Sequence, residues 1–397
     1  MRIGDGTSVD RVTAPRLSGG PRLRAVSTLG TASPVASPAF GQRLLAAWRD
    51  GTLVPDGADG AHSAREAQAV VTGVGESFVA WRLTPAHGER LVVRVPWRPL
   101  DDLAQPLGEE IAALGHVDPA VGPRPVAACT DPGRSPIELP YVVTSYVPGR
   151  VLAPRRWTSA HLAAHARTLA VLHRPVLPGR GRLLPGTRAE QEEGLVRGPF
   201  SILAEVDGAF SWWREHHPEV TGEPLTAGLL DAARAVCAAA EPVAARLDSF
   251  TLAHGDLCAT NVVWEDDGSG AGPVPRYIDF EWAQADDPAR DVAIIGGPVH
   301  GGPWYVPMDA EAHEGFLLAY VDAARALAPD RALDVDELRI RRDAWEAYER
   351  TAMYLHVSRR AADGDPVHAA ALPVLRDGLA RRLSGELPDS CGAGGCG

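Results

Sequence analysis

Two periodicities divide the chain. From Ala69 to Val147 apolar positions alternate with polar ones or gather into short runs, the pattern of strands. "FVAWRL" and "RLVVRV" flank "TPAHGE", which predicts a hairpin, and "YVVTSYV" (Tyr141–Val147) predicts a buried strand closed by Pro148 and Gly149. Between them, in "LGEEIAALGHV", Leu107, Ile111 and Leu114 fall at i, i+4 and i+7, one face of a helix. Beyond Gly149 helical spacing takes over. "TSAHLAAHARTLAVLH" puts Leu162, Leu169 and Leu172 on one side, with Thr158 as N-cap. Further helices are expected at Leu229–Leu247, Glu314–Leu327 and Val335–Ala361, and a short one at Phe40–Asp50. Two short apolar runs, "NVVWED" and "RYIDFEW", interrupt this half. The turn "DGSGAGPVP" separates them, so they read as an embedded hairpin.

The layout predicts an α+β chain of two lobes. Residues 41–149 form a small antiparallel-sheet lobe, a hinge lies near 145–149, and residues 150–383 form a large, mainly helical lobe. Residues 1–40, rich in Gly, Pro, Ser and Arg, are expected to be a flexible arm, and 384–397 a disordered low-complexity tail. No internal repeat is visible.

Composition narrows the function. At 397 residues, 45% hydrophobic and 23% charged, the chain suits a soluble globular protein. No apolar run approaches the ~20 residues of a membrane helix, and the N-terminus lacks a secretory core, so no membrane partner and a cytoplasmic location are expected. Five scattered cysteines (Cys129, Cys237, Cys258, Cys391, Cys396) argue against a disulfide framework. A net charge of -12 argues against nucleic acid and leaves room for a cationic partner. The chain has no lysine; all 39 basic residues are arginine. That excludes a pyridoxal Schiff base and a Walker A lysine.

The densest chemistry is in "LAHGDLCATNVVWEDD" (252–267), where Asp256 and Asn261 share the loop before the first apolar run. Asp279 ends the second run, in "YIDFEW". A hairpin brings strand ends together, so the three can converge. Asp and Asn oxygens are hard ligands suited to Mg2+, and a carboxylate beside such a site can take a proton from an attacking hydroxyl.

These residues resemble the aminoglycoside phosphotransferase and choline kinase-like family, relatives of the protein kinases. Its catalytic loop reads HGD-x4-N and a later I-D-[FW]-E segment replaces DFG; here stand His254-Gly255-Asp256 with Asn261, then Ile278-Asp279-Phe280-Glu281. The resemblance runs from about Ala69 to Arg360. It implies a protein-kinase-like fold, ATP or GTP and Mg2+ as cofactors, Asp256 as catalytic base, and Asn261 and Asp279 as metal ligands. His254 would orient the loop, and Asp291, in "DDPARDVA", would brace it. Cys258 departs from the family, which often has histidine there. A nucleophilic cysteine is the other reading, but no separate base or oxyanion arrangement accompanies it.

In the smaller lobe, "TGVGESFVAWRL" resembles the family's phosphate-covering segment. Gly73 and Gly75 would permit a tight backbone and Ser77 would offer a phosphate its N–H and hydroxyl, with Phe78 in place of the usual asparagine. An ordinary hairpin turn is the competing reading. Arg94 takes the position of the kinase lysine, and a guanidinium can hold phosphate and carboxylate together; an exposed strand arginine is the alternative. Glu110 shares the inward helical stripe and is its expected partner, whereas Glu109 points away. "TSYVPG" resembles the hinge that binds adenine through backbone groups at Ser145, Tyr146 and Val147.

Between Glu190 and Glu223 stand Glu190, Glu192, Glu193, Glu205, Asp207, Glu215, Glu219 and Glu223 against Arg197 and Arg214, with Trp212 and Trp213. Such a segment suits a cationic acceptor, or is a solvated face. Three functions remain open: phosphate transfer to a small-molecule hydroxyl, as on an aminoglycoside or another antibiotic or metabolite; transfer to Ser or Thr of a precursor peptide in natural-product biosynthesis; and non-catalytic nucleotide binding by a pseudokinase.

Overall fold

The structure, a computed structural model, describes residues 33–54, 67–103, 105–265, 272–330 and 333–385. Helix α1 (Pro38–Arg49) leads in. Ser37 Oγ accepts the Phe40 N–H at 3.3 Å, and Pro38 stands in the first turn, where a missing N–H costs nothing. Five antiparallel strands follow: β1 (Gln68–Val74), β2 (Phe78–Thr84), β3 (Leu91–Pro96), β4 (Pro125–Cys129) and β5 (Tyr141–Ser145). Their order in the sheet is β1-β2-β3-β5-β4. Helix α2 (Leu107–Leu114) lies between β3 and β4 in sequence.

Period-2 alternation gives the sheet two faces. Leu91, Val93 and Val95 of β3 join Trp81, Leu83 and Val143 in a core that Leu44 and Trp48 of α1 complete. Val92 and Arg94 therefore point the other way, toward the larger lobe. Residues 33–40, grouped by composition with the arm, belong to this core: Val35 and Phe40 are buried, and the Val35 carbonyl accepts the Trp81 indole N–H at 2.9 Å. Composition missed them because two apolar side chains among Ser and Pro give no periodicity. The rest of the predicted arm lies outside the described residues.

After the two-residue strand β6 (Arg150–Val151) the chain is mainly helical: α3 (Ser159–Leu172), α4 (Arg188–Glu193), α5 (Ile202–His216), α6 (Pro218–Thr221) and α7 (Pro224–Ala244). Thr158 starts α3 as expected, its N–H donated to His161 Nδ1 at 3.2 Å. Then come β7 (Thr251–Ala253), β8 (Val262–Glu265), β9 (Val274–Tyr277) and β10 (Gln284–Asp286), followed by α8 (Pro288–Ile294), α9 (Ala310–Leu327), α10 (Val335–Ala362) and α11 (Pro366–Leu383). The hairpin expected from the two apolar runs is β8–β9, with Val262 opposite Tyr277. Ser384 caps α11; the rest of the predicted tail, with Cys391 and Cys396, lies outside the described residues.

Helix α10 is the spine of the larger lobe, packed on α7, α8 and α11. Much of what it buries is polar. Arg350, fully buried, donates to the carbonyls of Val299 and Ala293 at 3.0 Å each and lies 3.7 Å from the Tyr305 ring centroid. Beside it, Arg290 of α8 joins Asp286, Glu205 and Glu349 within 3.0 Å, which ties α5 and α10 to the catalytic half of the lobe. Such buried pairs are costly to break one partner at a time. Among the described residues no helix is long and apolar enough to cross a membrane.

Candidate active site

Strands β7 and β10 pair antiparallel, Leu252 opposite Ala285, and β7 delivers the chain into the loop that begins at His254. Gly255 has φ 76°, and a Cβ there would lie 2.6 Å from the Trp282 carbonyl oxygen, so only glycine fits this bend. Asp291, in the first turn of α8, accepts the N–H groups of His254 at 2.6 Å and Gly255 at 2.9 Å, and meets His173 Nε2 at 3.1 Å. Burial alone would raise its pKa; the His173 hydrogen bond and charge and the backbone donors outweigh that and hold it below the usual carboxylate range. Burial depresses the His254 pKa and keeps the ring neutral. Its Nε2–H then donates to the Ile278 carbonyl at 3.0 Å while Nδ1 accepts the Asp256 N–H at 3.3 Å.

Asn261 stands where that loop enters β8. Its Nδ2 donates to the Asp256 carbonyl at 2.7 Å and to Asp256 Oδ2 at 3.1 Å, which leaves Oδ1 to face a ligand. The Ile278 N–H donates to the Asn261 carbonyl at 3.0 Å, so the end of β9 and the loop before β8 are stitched together. The next residue, Asp279, has φ 71°, a left-handed backbone that a non-glycine residue adopts at a cost and that recurs at functional sites.

Arg94 closes the arrangement from above. Its Nη1 donates to Glu110 and its Nη2 to Asp279 Oδ1 at 2.5 Å, while Glu281 Oε2 lies 4.0 Å away. The Phe78 ring sits under the guanidinium, 4.4 Å from its carbon. Burial disfavours the charge on Arg94, but Glu110, Asp279 and Glu281 more than restore it. Glu110, the more deeply buried of the pair, is pushed up by burial against the pull of Arg94. Glu109 turns to Arg182 of the larger lobe at 3.3 Å, half-buried rather than solvent-facing.

One cleft of about 320 Å3 between the lobes is lined by every residue that the sequence singled out for nucleotide or metal: Gly73, Gly75, Ser77, Arg94, Glu110, Ser145, Tyr146, Val147, Asn261 and Asp279. Asp256 lies just behind Asn261, nine-tenths buried. The hard oxygens of Asp279 and Asn261 on one wall fit a magnesium ion.

The sequence matches the phosphotransferase enzyme family over residues 70–334. The chain belongs to that family. It is therefore a phosphotransferase whose acceptor is a hydroxyl. Its protein-kinase-like fold is shared with the ethanolamine kinase of Plasmodium vivax, at 13% identity and a TM-score of 0.52, covering 83% of this chain and 84% of that one. It is shared too with aminoglycoside 2'-phosphotransferase-IIIa, solved as a GDP complex, at 16% identity and 0.53, covering 86% and 99%. No curated protein matches the sequence.

Other expectations for this phosphotransferase meet the structure unevenly. Neither Gly73 nor Gly75 has a left-handed backbone, and a Cβ on Gly75 would make only an ordinary 3.6 Å contact with the Phe78 carbonyl. Neither glycine is therefore required by a left-handed turn. In the hinge, the Ser145 and Tyr146 N–H groups are bonded to the Arg124 and Arg90 carbonyls at 2.9 Å each, so of the three predicted residues only Val147 has an N–H without a backbone partner among the described residues. The Cys258 thiol is fully buried and 2.9 Å from Thr260 Oγ1, and burial pushes its pKa well up, the opposite of an activated nucleophile.

The acidic segment is largely occupied. Glu205 is paired with Arg180 and Arg290, Asp207 with Arg234, and Glu192 with Arg188; Glu190 caps α4 through Thr187. Trp213 is buried, and Trp212 stacks on His216 at 4.4 Å. Sequence reasoning overlooked Phe78 as a platform for Arg94, since its departure from the family's asparagine concealed its use. It also gave no role to Glu281, although that residue stands in the quoted motif.

Proposed function

We propose that the chain transfers the γ-phosphate of ATP or GTP to a hydroxyl of a small molecule. The observation that carries this reading is the meeting of Asn261, Asp279 and Arg94 on the lining of the interlobe cleft, with Asp256 hydrogen-bonded behind Asn261. The base packs between the apolar side chains of Ala80 and Val92 above and Val263 and Ile278 below, against the Val147 backbone. The phosphates then run toward Ser77 and Arg94. A magnesium ion held by Asp279 and Asn261 would neutralise charge on the phosphate oxygens. Asp256 accepts the acceptor's hydroxyl proton as the new O–P bond forms and the bond to the diphosphate breaks. Asn261 keeps the Asp256 carboxylate oriented, and Asp291 with His254 fixes the loop that carries it.

Labelled γ-phosphate supplied with Mg2+ to a panel of aminoglycosides, macrolides, amino alcohols and Ser/Thr peptides tests this. Transfer to a small molecule supports the reading. Transfer to peptides alone would replace it with the precursor-peptide kinase, and neither transfer nor hydrolysis with a pseudokinase.

A further inference from the structure

Helix α2 carries Glu110, the partner of Arg94, yet its apolar side belongs with the larger lobe. Leu107, Ala112, Ala113 and Leu114 share one buried cluster with Leu169, Leu183 and Phe280. From the sheet, Phe78 and Val142 reach that cluster, while Leu91, Val93 and Val95 lie in the core on the opposite face. The flanks of α2 are tied the same way. Gln105 Nε2 donates to the Phe280 carbonyl at 3.4 Å, the Tyr277 N–H donates to the Val121 carbonyl at 2.7 Å, and Arg174 meets Asp118 at 3.2 Å. Toward the sheet, Glu110 holds Arg94. A guanidinium fork is directional, so the geometry of that ion pair depends on how α2 is seated on the lobe beneath it.

Gly108, in the first turn of α2, marks the seat. Its backbone is not left-handed, so no turn requires glycine there, and alanine would favour the helix. A Cβ at this position would lie 2.8 Å from Cγ of Pro185 in the larger lobe. That is inside the roughly 3.5–4.0 Å at which carbons pack. Pro185 is held on both sides. Before it, Leu183 is fully buried. After it the chain enters α4, where the Thr187 N–H donates to Glu190 at 2.7 Å and Gln191 Nε2 donates to the Gly186 carbonyl at 3.4 Å. A polar tie flanks the contact at each end of α2: Arg182 meets Glu109 at 3.3 Å, and Gln191 Oε1 meets His116 Nε2 at 2.7 Å.

We propose that Gly108 and Pro185 are positioning residues, whose close contact seats α2 on the larger lobe and so fixes where Glu110 meets Arg94. The consequence for nucleotide rests on the reading that Arg94 meets its phosphates; the seat itself can be measured without nucleotide.

The test is calorimetric titration of the full chain with Mg2+ and AMP-PNP, or GMP-PNP if that binds better, and with the matching nucleoside. Gly108→Ala should lower triphosphate affinity about tenfold, the loss of one charge-assisted hydrogen bond, with the nucleoside unchanged. Adding Pro185→Ala removes Cγ and Cδ, makes room for the new methyl and should restore the affinity. Hydrogen exchange at the α2 amides reads the seat with no nucleotide present. It should quicken in Gly108→Ala, although alanine favours the helix, and return to normal in the double variant. Unchanged triphosphate affinity in Gly108→Ala, an equal loss for the nucleoside, or unchanged or slower exchange in α2 overturns the proposal. So does a defect that Pro185→Ala does not repair, and failure of Gly108→Ala to fold counts as such a defect. If the unaltered protein binds no triphosphate, the kinase reading fails, and exchange in α2 alone decides the seat.

Discussion

The Arg94 guanidinium binds Asp279 at 2.5 Å, joining a strand of the small lobe to the second residue past β9. The same guanidinium also holds Glu110, so three charges that would meet the nucleotide phosphates are already assembled. If Asp279 binds magnesium, it exchanges this partner for the ion when nucleotide arrives. Asp279→Ala should then abolish the Mg2+ enhancement of nucleotide binding, read by titration with and without the metal. Retention of the full enhancement would remove Asp279 from the metal site.

Arg94→Lys keeps a charge but loses the fork that reaches Glu110 and a phosphate together. Charge-assisted hydrogen bonds contribute about 1.5–3 kcal/mol each, so triphosphate affinity should fall roughly tenfold to a hundredfold. Adenosine, which has no phosphate, should bind as before. An equal loss for both ligands would mean that the substitution damaged the sheet.

Asp256→Asn is nearly isosteric and retains an acceptor for Asn261. Nucleotide affinity should be unchanged while transfer falls by about 10²–10⁴, the usual contribution of a general base. Near-normal kcat in this variant would exclude Asp256 from proton transfer.

Asp291 meets two backbone donors and His173 without touching the cleft, so its replacement tests support of the loop. Asp291→Asn leaves a buried donor facing a donor. It should cost about 3–5 kcal/mol in denaturant unfolding, the range for breaking a buried charged pair. Its carboxyl is held low when folded, so this stability is complete above the unfolded value near 4 and is lost as pH falls through the folded one. A loss below 1 kcal/mol would show that the loop holds without the brace.

His165, stacked on Phe316 at 5.5 Å and bonded to the Tyr277 hydroxyl at 3.0 Å, is lowered to about 3 by burial. The unfolded chain takes up its proton near pH 6.5, so stability is full above 6.5 and declines as pH falls toward 3. Each unit costs up to about 1.4 kcal/mol. His165→Gln should flatten the stability curve between pH 5 and 6 by about that slope. An unchanged slope would place the titration elsewhere.

The two-lobe fold and the convergence of Asp256, Asn261 and Asp279 were legible because strand period, the hairpin and the motif spacing are all local signals. Helix α11 was not: Pro373 stands inside it, and the pattern around it reads as broken. Helix α5 was hidden by reading its acids as a binding surface, whereas Glu205 is buried against two arginines. The pairing of Arg94 with Asp279 depends on how the lobes meet, and no spacing within either one encodes that. The same holds for Glu76, which approaches His356 and Arg360 on helix α10 of the other lobe.

An arginine at position 94 in a chain without lysine also has a practical consequence. Reagents that find nucleotide sites by acylating the amine beside the phosphates have no side-chain amine to react with here, however well they bind. Capture on immobilised nucleotide would retain this protein where amine-directed profiling passes over it.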